Sequence, residues 1–101
     1  MAKFREQYQR RFQRKEVVPE IYSYDTSVCI SLEGVTRNVA EEIGNELVNM
    51  YICKSYAVEW NGHNDLWLYD FDFALIPMTE FNRIIASLLE MFDYEAKDIL
   101  F

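Results

Sequence analysis

From Ile21 to Leu32 polar and apolar positions alternate without interruption. Tyr22, Tyr24, Thr26, Val28, Ile30 and Leu32 fall on one side, and Ser23, Asp25, Ser27, Cys29 and Ser31 on the other. A period of two is the mark of a half-buried strand. Gly34 breaks the pattern, and the period then lengthens: Val39, Ile43, Leu47 and Met50 or Tyr51 recur at helical spacing with Ala40 beside them. A helix is predicted from an N-cap at Thr36 to about Met50, because a threonine hydroxyl there can accept from a first-turn amide. Gly44 lies on the flank of its apolar stripe. Glycine lowers helix propensity by about 1 kcal/mol relative to alanine, so its presence predicts close packing on a sheet.

A second strand is predicted at Ser55 to Trp60, with Tyr56, Val58 and Trp60 together. A third is predicted from Leu66 to Ile76, with Trp67, Tyr69, Phe71, Phe73 and Leu75 together. Asn61-Gly62 between them is a strong hairpin signal. A two-residue turn pairs Trp60 with His63, and a four-residue loop pairs it with Asp65. Both registers put the Tyr56 and Trp67 faces on the same side of the sheet. Pro77 stops the third strand, Thr79 is the expected cap of a second helix, and Phe81, Ile84, Ile85, Leu88 and Phe92 form its stripe to about Asp93. The apolar end, Lys97-Asp98-Ile99-Leu100-Phe101, suits a short edge strand.

The order strand, helix, strand, strand, helix and a final short strand predicts an α+β fold. The expected architecture is a two-layer sandwich, an antiparallel sheet with both helices on one face, of ferredoxin-like βαββα(β) plan with the first and third strands adjacent in mid-sheet. The alternative keeps three strands and packs three helices on them. The expected core contains Tyr22, Val28, Ile30, Val39, Ile43, Leu47, Val58, Trp67, Tyr69, Phe71, Phe73, Ile85, Leu88 and Phe92.

Charge divides the chain in a way that periodicity does not. Residues 1–16 carry a net +4 and residues 17–101 a net −11, which make up the total of −7. In the basic segment Phe4, Tyr8 and Phe12 recur every four residues, as on a short helix with an aromatic stripe that ends before Pro19. The expected organisation is an arm over residues 1–16 and a single acidic domain over residues 17–101. At 101 residues, half of them apolar, there is material for one core and no more.

Cys29 and Cys53 form no CxxC pattern, so neither a disulfide framework nor a zinc site is indicated. The basic first residues do not read as a secretory leader, and no apolar run is long enough to span a bilayer, so the expected setting is the cytosol. With three glycines and no GxGxxG or GxxxxGK[ST], there is no phosphate-cradling loop. The single histidine, His63, sits among Asn61, Gly62, Asn64 and Asp65, where a turn role outweighs that of a base. No cofactor is expected.

On the face left uncovered by the helices, the predicted pairing gathers Asp25, Glu59, Asp70 and Asp72. Such carboxylates suit two roles. They would attract a basic protein surface, or they would hold a divalent metal for phosphodiester hydrolysis. The arm offers a third, since its Phe4, Tyr8 and Phe12 with Arg10, Arg11 and Arg14 have the composition of a nucleic-acid-binding segment. The acidic body would oppose that use. The leading expectation is a small acidic protein-binding protein, an inhibitor or regulator engaging a basic partner through Asp25, Glu59, Asp70 and Asp72. The partner could itself be a nucleic-acid-binding protein. The arm residues would dock on the domain or on a second copy in a homo-oligomer. Enzymatic activity and direct nucleic-acid binding are the alternatives.

Overall fold

The computed structural model describes residues 15–97. Six strands and two helices follow one another as β1 (Lys15–Val17), β2 (Glu20–Ser23), β3 (Ser27–Leu32), α1 (Arg37–Asn49), β4 (Ser55–Trp60), β5 (Asn64–Tyr69), α2 (Met78–Met91) and β6 (Tyr94–Ala96). Strands β2 to β5 make an antiparallel sheet in the order β2-β3-β5-β4, and β1 pairs with β6 in a separate parallel ladder. Both helices pack on one side of the larger sheet. The molecule is thus a two-layer α+β structure, and β3 and β5 are neighbours in mid-sheet, as in a ferredoxin-like plan. One place differs from that plan. The edge beside β3 is taken by β2, while the last strand pairs with β1.

The helix-capping expectation holds at α1, where Thr36 Oγ1 accepts from the Val39 amide at 3.3 Å. A second tie secures the same turn: the Thr36 amide donates to the Tyr94 hydroxyl at 3.3 Å, joining the start of α1 to β6. At α2 the cap lies two residues before Thr79. Pro77 occupies it, with its carbonyl accepting from Glu80 and Phe81 at 3.0 Å. Proline has a fixed φ near that of a helix start and lacks only an amide that would have no helical partner.

The core lies between the helices and one side of the sheet. Ile21, Val28, Ile30, Leu66 and Leu68 supply the sheet side, and Ala40, Ile43, Leu47, Phe81, Ile85, Leu88 and Leu89 the helix side. Val17 and Tyr94 extend it beneath the β1-β6 ladder. At β5, Asn64 is buried and its Nδ2 donates to the Val35 carbonyl at 2.8 Å, so the one buried polar side chain among the described residues ties β5 to the loop before α1. A buried amide with its partner in place avoids the penalty of an unsatisfied group.

Three corrections to the expected strands share one theme, the parity of side chains. The run from Ile21 to Leu32 is two strands, because the chain reverses at Tyr24-Asp25-Thr26. The hairpin register sets Ile21 opposite Ile30 and Tyr22 opposite Cys29. Ile21 therefore enters the core and Tyr22 is exposed. Next, the loop after β4 has three residues, so Trp60 pairs with Asn64 rather than with His63 or Asp65. Gly62 supplies the positive φ, 77°, that the tight loop requires. An odd loop shifts the register by one, and every side chain of β5 changes side. Leu66 and Leu68 pack under the helices, whereas Trp67 and Tyr69 stand on the other face.

Lastly, β5 ends at Tyr69 rather than Ile76. Asp70 takes a left-handed φ of 51°, which resets the direction of the chain, and Asp72 Oδ1 accepts from the Ala74 amide to form a side-chain turn. Phe71 drops into the core with its ring edge-on to Phe81 at 5.0 Å, and Phe73 is 41% exposed beside it. Val39, Val58 and Phe92 are partly buried, and the remaining expected core residues of β3, α1 and α2 are buried.

The segment read as an arm is strand at its end, since Lys15 and Glu16 belong to β1. Phe4, Tyr8, Arg10, Arg11, Phe12 and Arg14 lie outside the described residues, as do Asp98 to Phe101.

Candidate functional site

The side of the sheet away from the helices is built in transverse rows by the strand register. One row runs Glu20, Ser31, Asp65, Glu59 across β2, β3, β5 and β4. Neighbouring strands lie about 4.8 Å apart, and residues directly opposite have their Cβ atoms about 5 Å apart. Three of the four residues in this row are thus carboxylates, and Asp65 and Glu59 face each other as a like-charged cross-strand pair. Such a pair weakens a sheet. His63 relieves part of this, with Nε2 2.9 Å from Asp65 Oδ1.

The next row is Tyr22, Cys29, Trp67, Ala57. Beyond it Tyr24, from the turn after β2, stacks on Trp67 with centroids 5.5 Å apart, and Tyr69 of β5 also stacks on Trp67 at 6.4 Å. The planes are nearly parallel, at 27° and 10°. Tyr24 and Tyr69 are 53% and 41% exposed and Tyr22 beside them is 47% exposed, so the outer rings of this face meet solvent. The Tyr22 hydroxyl donates to Glu20, and that bond together with the carboxylate charge raises the phenol's pKa. Glu20, Tyr22, Tyr24, Asp65 and Trp67 of these rows line one concavity of about 390 Å³ together with Glu33, which follows β3.

Cys29 lies beneath the column and is 4% exposed. Burial, with lesser contributions from Asp65 and Glu59, pushes its thiol up to about 12. A neutral, covered thiol is a poor nucleophile. Cys53 is also free and buried, and burial pushes it up to about 11.

The four carboxylates expected to share this face are divided between two places. Glu59 stands in the acidic row. Asp25 sits in the turn between β2 and β3, and Asp70 and Asp72 sit in the turns after β5. The Phe71 amide donates to the Thr26 carbonyl at 2.9 Å, which brings the two turns together at the opposite end of the sheet from Glu59. The physical reason is again parity: Asp70 and Asp72 follow a strand that has ended, so period two no longer assigns them a side. The residues that join Glu59 are Glu20 and Asp65. Asp65 was legible as a site residue only through the loop length that fixes β5, and Glu20 only through the hairpin that separates β2 from β3.

Among the described residues, no group of three or more His, Cys, Asp or Glu is placed to hold a metal ion. No helix among them is long and apolar enough to cross a membrane. No family model matches the chain, nor does any curated protein or any solved structure.

Proposed function

We propose that this protein binds other proteins, and that its uncovered sheet face engages a basic surface on its partner as an inhibitor or regulator would. The observation that carries the reading is the like-charged pair Asp65 and Glu59, set beside the stacked column of Tyr24, Trp67 and Tyr69. A sheet face needed only for solubility has no use for opposed carboxylates, which destabilise it, nor for half-exposed aromatic rings. An incoming cation would relieve the first and use the second. Arginine suits both, because its planar guanidinium stacks on aromatic faces and pairs with carboxylates through fixed donors.

The acidic body would also steer a basic partner toward encounter, including one whose groove ordinarily holds a polyanion. The setting we infer is the cytosol, where the two free thiols stay reduced.

The test is recovery of a partner from host cytosol with the full chain, followed by titration of that partner. Asp65→Asn and Glu59→Gln should each weaken binding, and Trp67→Ala should weaken it without changing its salt dependence. A desolvated charge truncated at an interface costs about 2–5 kcal/mol, so a loss of tenfold or more is expected for Asp65. Unchanged affinity in all three variants overturns the reading, as does a strong salt-sensitive affinity for nucleic acid alone that the face variants leave intact.

A further inference from the structure

Strand β4 forms one margin of the four-stranded sheet, and among the described residues no strand pairs with its outer side. The phase of its ladder can be read from the loop. The Asn61 amide donates to the His63 carbonyl at 2.9 Å, so these two residues are a bonded pair, and Trp60 and Asn64, the next pair along, exchange no bonds. Bonded and non-bonded pairs alternate along an antiparallel ladder. Ser55, Ala57 and Glu59 therefore direct their amides and carbonyls to β5, whereas those of Tyr56, Val58 and Trp60 point outward.

Proteins commonly blunt such an edge with proline, lysine or a very short strand. The opposite margin, β2, has four residues and follows Pro19. By contrast β4 has six residues, with neither proline nor lysine among them, and ends in Trp60, which is 67% exposed. The strand that fits this edge best is its own copy. Two-fold registers centred on Tyr56 or Ala57 set Val58 or Trp60 against Lys54, whose amide is already given to the Tyr69 carbonyl at 3.0 Å. A register centred on Glu59 opposes two carboxylates, which weakens a sheet. One centred on Trp60 carries Tyr56 past the end of the other strand. Centred on Val58, the register pairs Val58 with its copy and Tyr56 with Trp60 of the copy. Every outward amide and carbonyl of the strand then has a partner, and Glu59 faces Ala57.

We propose that two copies of this chain pair antiparallel through β4 about a two-fold axis at Val58, joining their four-stranded sheets into one. Tyr56 and Trp60 become cross-strand aromatic neighbours between the copies, which covers the exposed indole. On the side away from the helices, the row Glu20, Ser31, Asp65, Glu59 continues into Ala57, Trp67, Cys29 and Tyr22 of the second copy. The carboxylates of one copy are thus in line with the aromatic rings of the other. The pairing stands apart from any role of that face in binding a basic partner. Each copy carries a net charge of −7, so association should strengthen as salt screens the repulsion.

The experiment uses the full chain at about 0.15 M salt. Sedimentation velocity from about 1 to about 300 µM should show monomer passing to dimer, as a small interface with micromolar affinity would. Amide hydrogen exchange over the same range locates the contact. Ala57 and Glu59 should be protected at every concentration, and Tyr56, Val58 and Trp60 only where the dimer is populated. Val58→Pro removes an outward amide at the axis and no bond to β5, and it should weaken association at least tenfold. A monomer throughout overturns the proposal. So does protection of Tyr56, Val58 and Trp60 in the monomer, which would show the edge covered by its own chain.

A cross-link tests the register without disturbing the core, since Ala57 and Glu59 are both exposed. In the Val58-centred pairing Ala57 and Glu59 of the copy form a non-bonded pair, with Cα atoms about 4.5 Å apart and within reach of a disulfide. Identical positions on the two copies lie diagonally, about 7–8 Å apart, which is too far. An equimolar mixture of Ala57→Cys and Glu59→Cys chains should therefore give covalent dimer on mild oxidation, at least tenfold more than either chain alone. Equal yields from the mixture and the single variants overturn the proposed pairing.

Discussion

Gly44 of α1 faces the ring of Tyr56 on β4 so closely that a Cβ on the glycine would stand 2.5 Å from Cδ2 of the ring. The helix therefore rests on the sheet at a distance that only glycine permits, and the aromatic ring takes the place of the missing side chain. Alanine is the better helix former by about 1 kcal/mol, yet Gly44→Ala should destabilise the protein by about 1–3 kcal/mol through overpacking. In a Tyr56→Ala background the same change should become neutral or stabilising. Urea denaturation of the four chains of this cycle measures the coupling, and additive effects would refute the contact.

Tyr51 ends α1 in a left-handed conformation, with φ at 62°. The amides of Tyr51 and Ile52 donate to the carbonyls of Val48 and Leu47 at 3.0 and 3.1 Å, which is the paired pattern of a Schellman cap. Glycine is the usual residue at this position, because a side chain there costs about 1–2 kcal/mol. The tyrosine ring is 84% exposed, so little packing is lost on its removal. Tyr51→Gly should raise stability by up to about 1 kcal/mol once the extra freedom of glycine in the unfolded chain is set against the relief. Tyr51→Ala keeps the strain and should give no such gain. A fall in thermal midpoint with glycine would show that the ring makes a contact of its own.

The two thiols give the protein an alkaline limit. An ordinary thiol ionises near 9, whereas in the fold burial holds Cys53 up to about 11 and, with Asp65 and Glu59, Cys29 up to about 12. As pH rises, the unfolded chain loses these protons first and the folded chain retains them, so the unfolded state is favoured. Their contribution is whole below pH 9 and is lost between 9 and about 11 for Cys53 and about 12 for Cys29. Stability should decline across that window, and Cys29→Ala with Cys53→Ala should make the decline shallower. Denaturant midpoints at about pH 8 and about pH 10.5 in both chains test this directly, and parallel declines would exclude the thiols as its source.

What could be read from the sequence was decided by whether a signal was local. Thr36 and Gly34 bracket the start of α1, and Ser55 to Trp60 reads as a strand from its own residues, because a cap and an alternating run need no knowledge of the rest of the fold. The side on which a strand presents its residues is not local. It depended on a loop of three residues at Asn61-Gly62-His63, where two and four had both been expected, and even loops give the opposite answer. Asp70 had the same effect further on: nothing in the alternation of Leu66 to Leu75 reveals that one aspartate adopts a positive φ and ends the strand. The candidate site was legible to the same degree. Glu59 was found, since β4 was correct, and Asp65 and Glu20 were missed together with the faces of β5 and β2.

The face assignment itself yields the last prediction, and it separates stability from binding on a single strand. Leu66 and Leu68 are fully buried against the helices, whereas Trp67, between them, is partly exposed on the opposite face, and Tyr69 is 41% exposed. Removing a buried leucine side chain takes away its transfer energy and leaves a cavity, so Leu68→Ala should destabilise by about 2–5 kcal/mol. Tyr69→Ala removes a ring that touches Trp67 on one side and water on the other, and the loss of its stacking should cost about 0.5–1.5 kcal/mol. The larger aromatic residue is thus expected to matter less to folding than the smaller aliphatic one beside it. For binding to a basic partner or to an octa-arginine peptide the ranking should invert. Conservative Leu68→Met should leave affinity unchanged, since it keeps the core volume and touches nothing on the acidic side, while Tyr69→Ala should weaken it. Urea denaturation and titration on the same set of variants measure both rankings. If Tyr69→Ala proved as destabilising as Leu68→Ala, the aromatic column would belong to a covered core, and the face proposed for the partner would not be open.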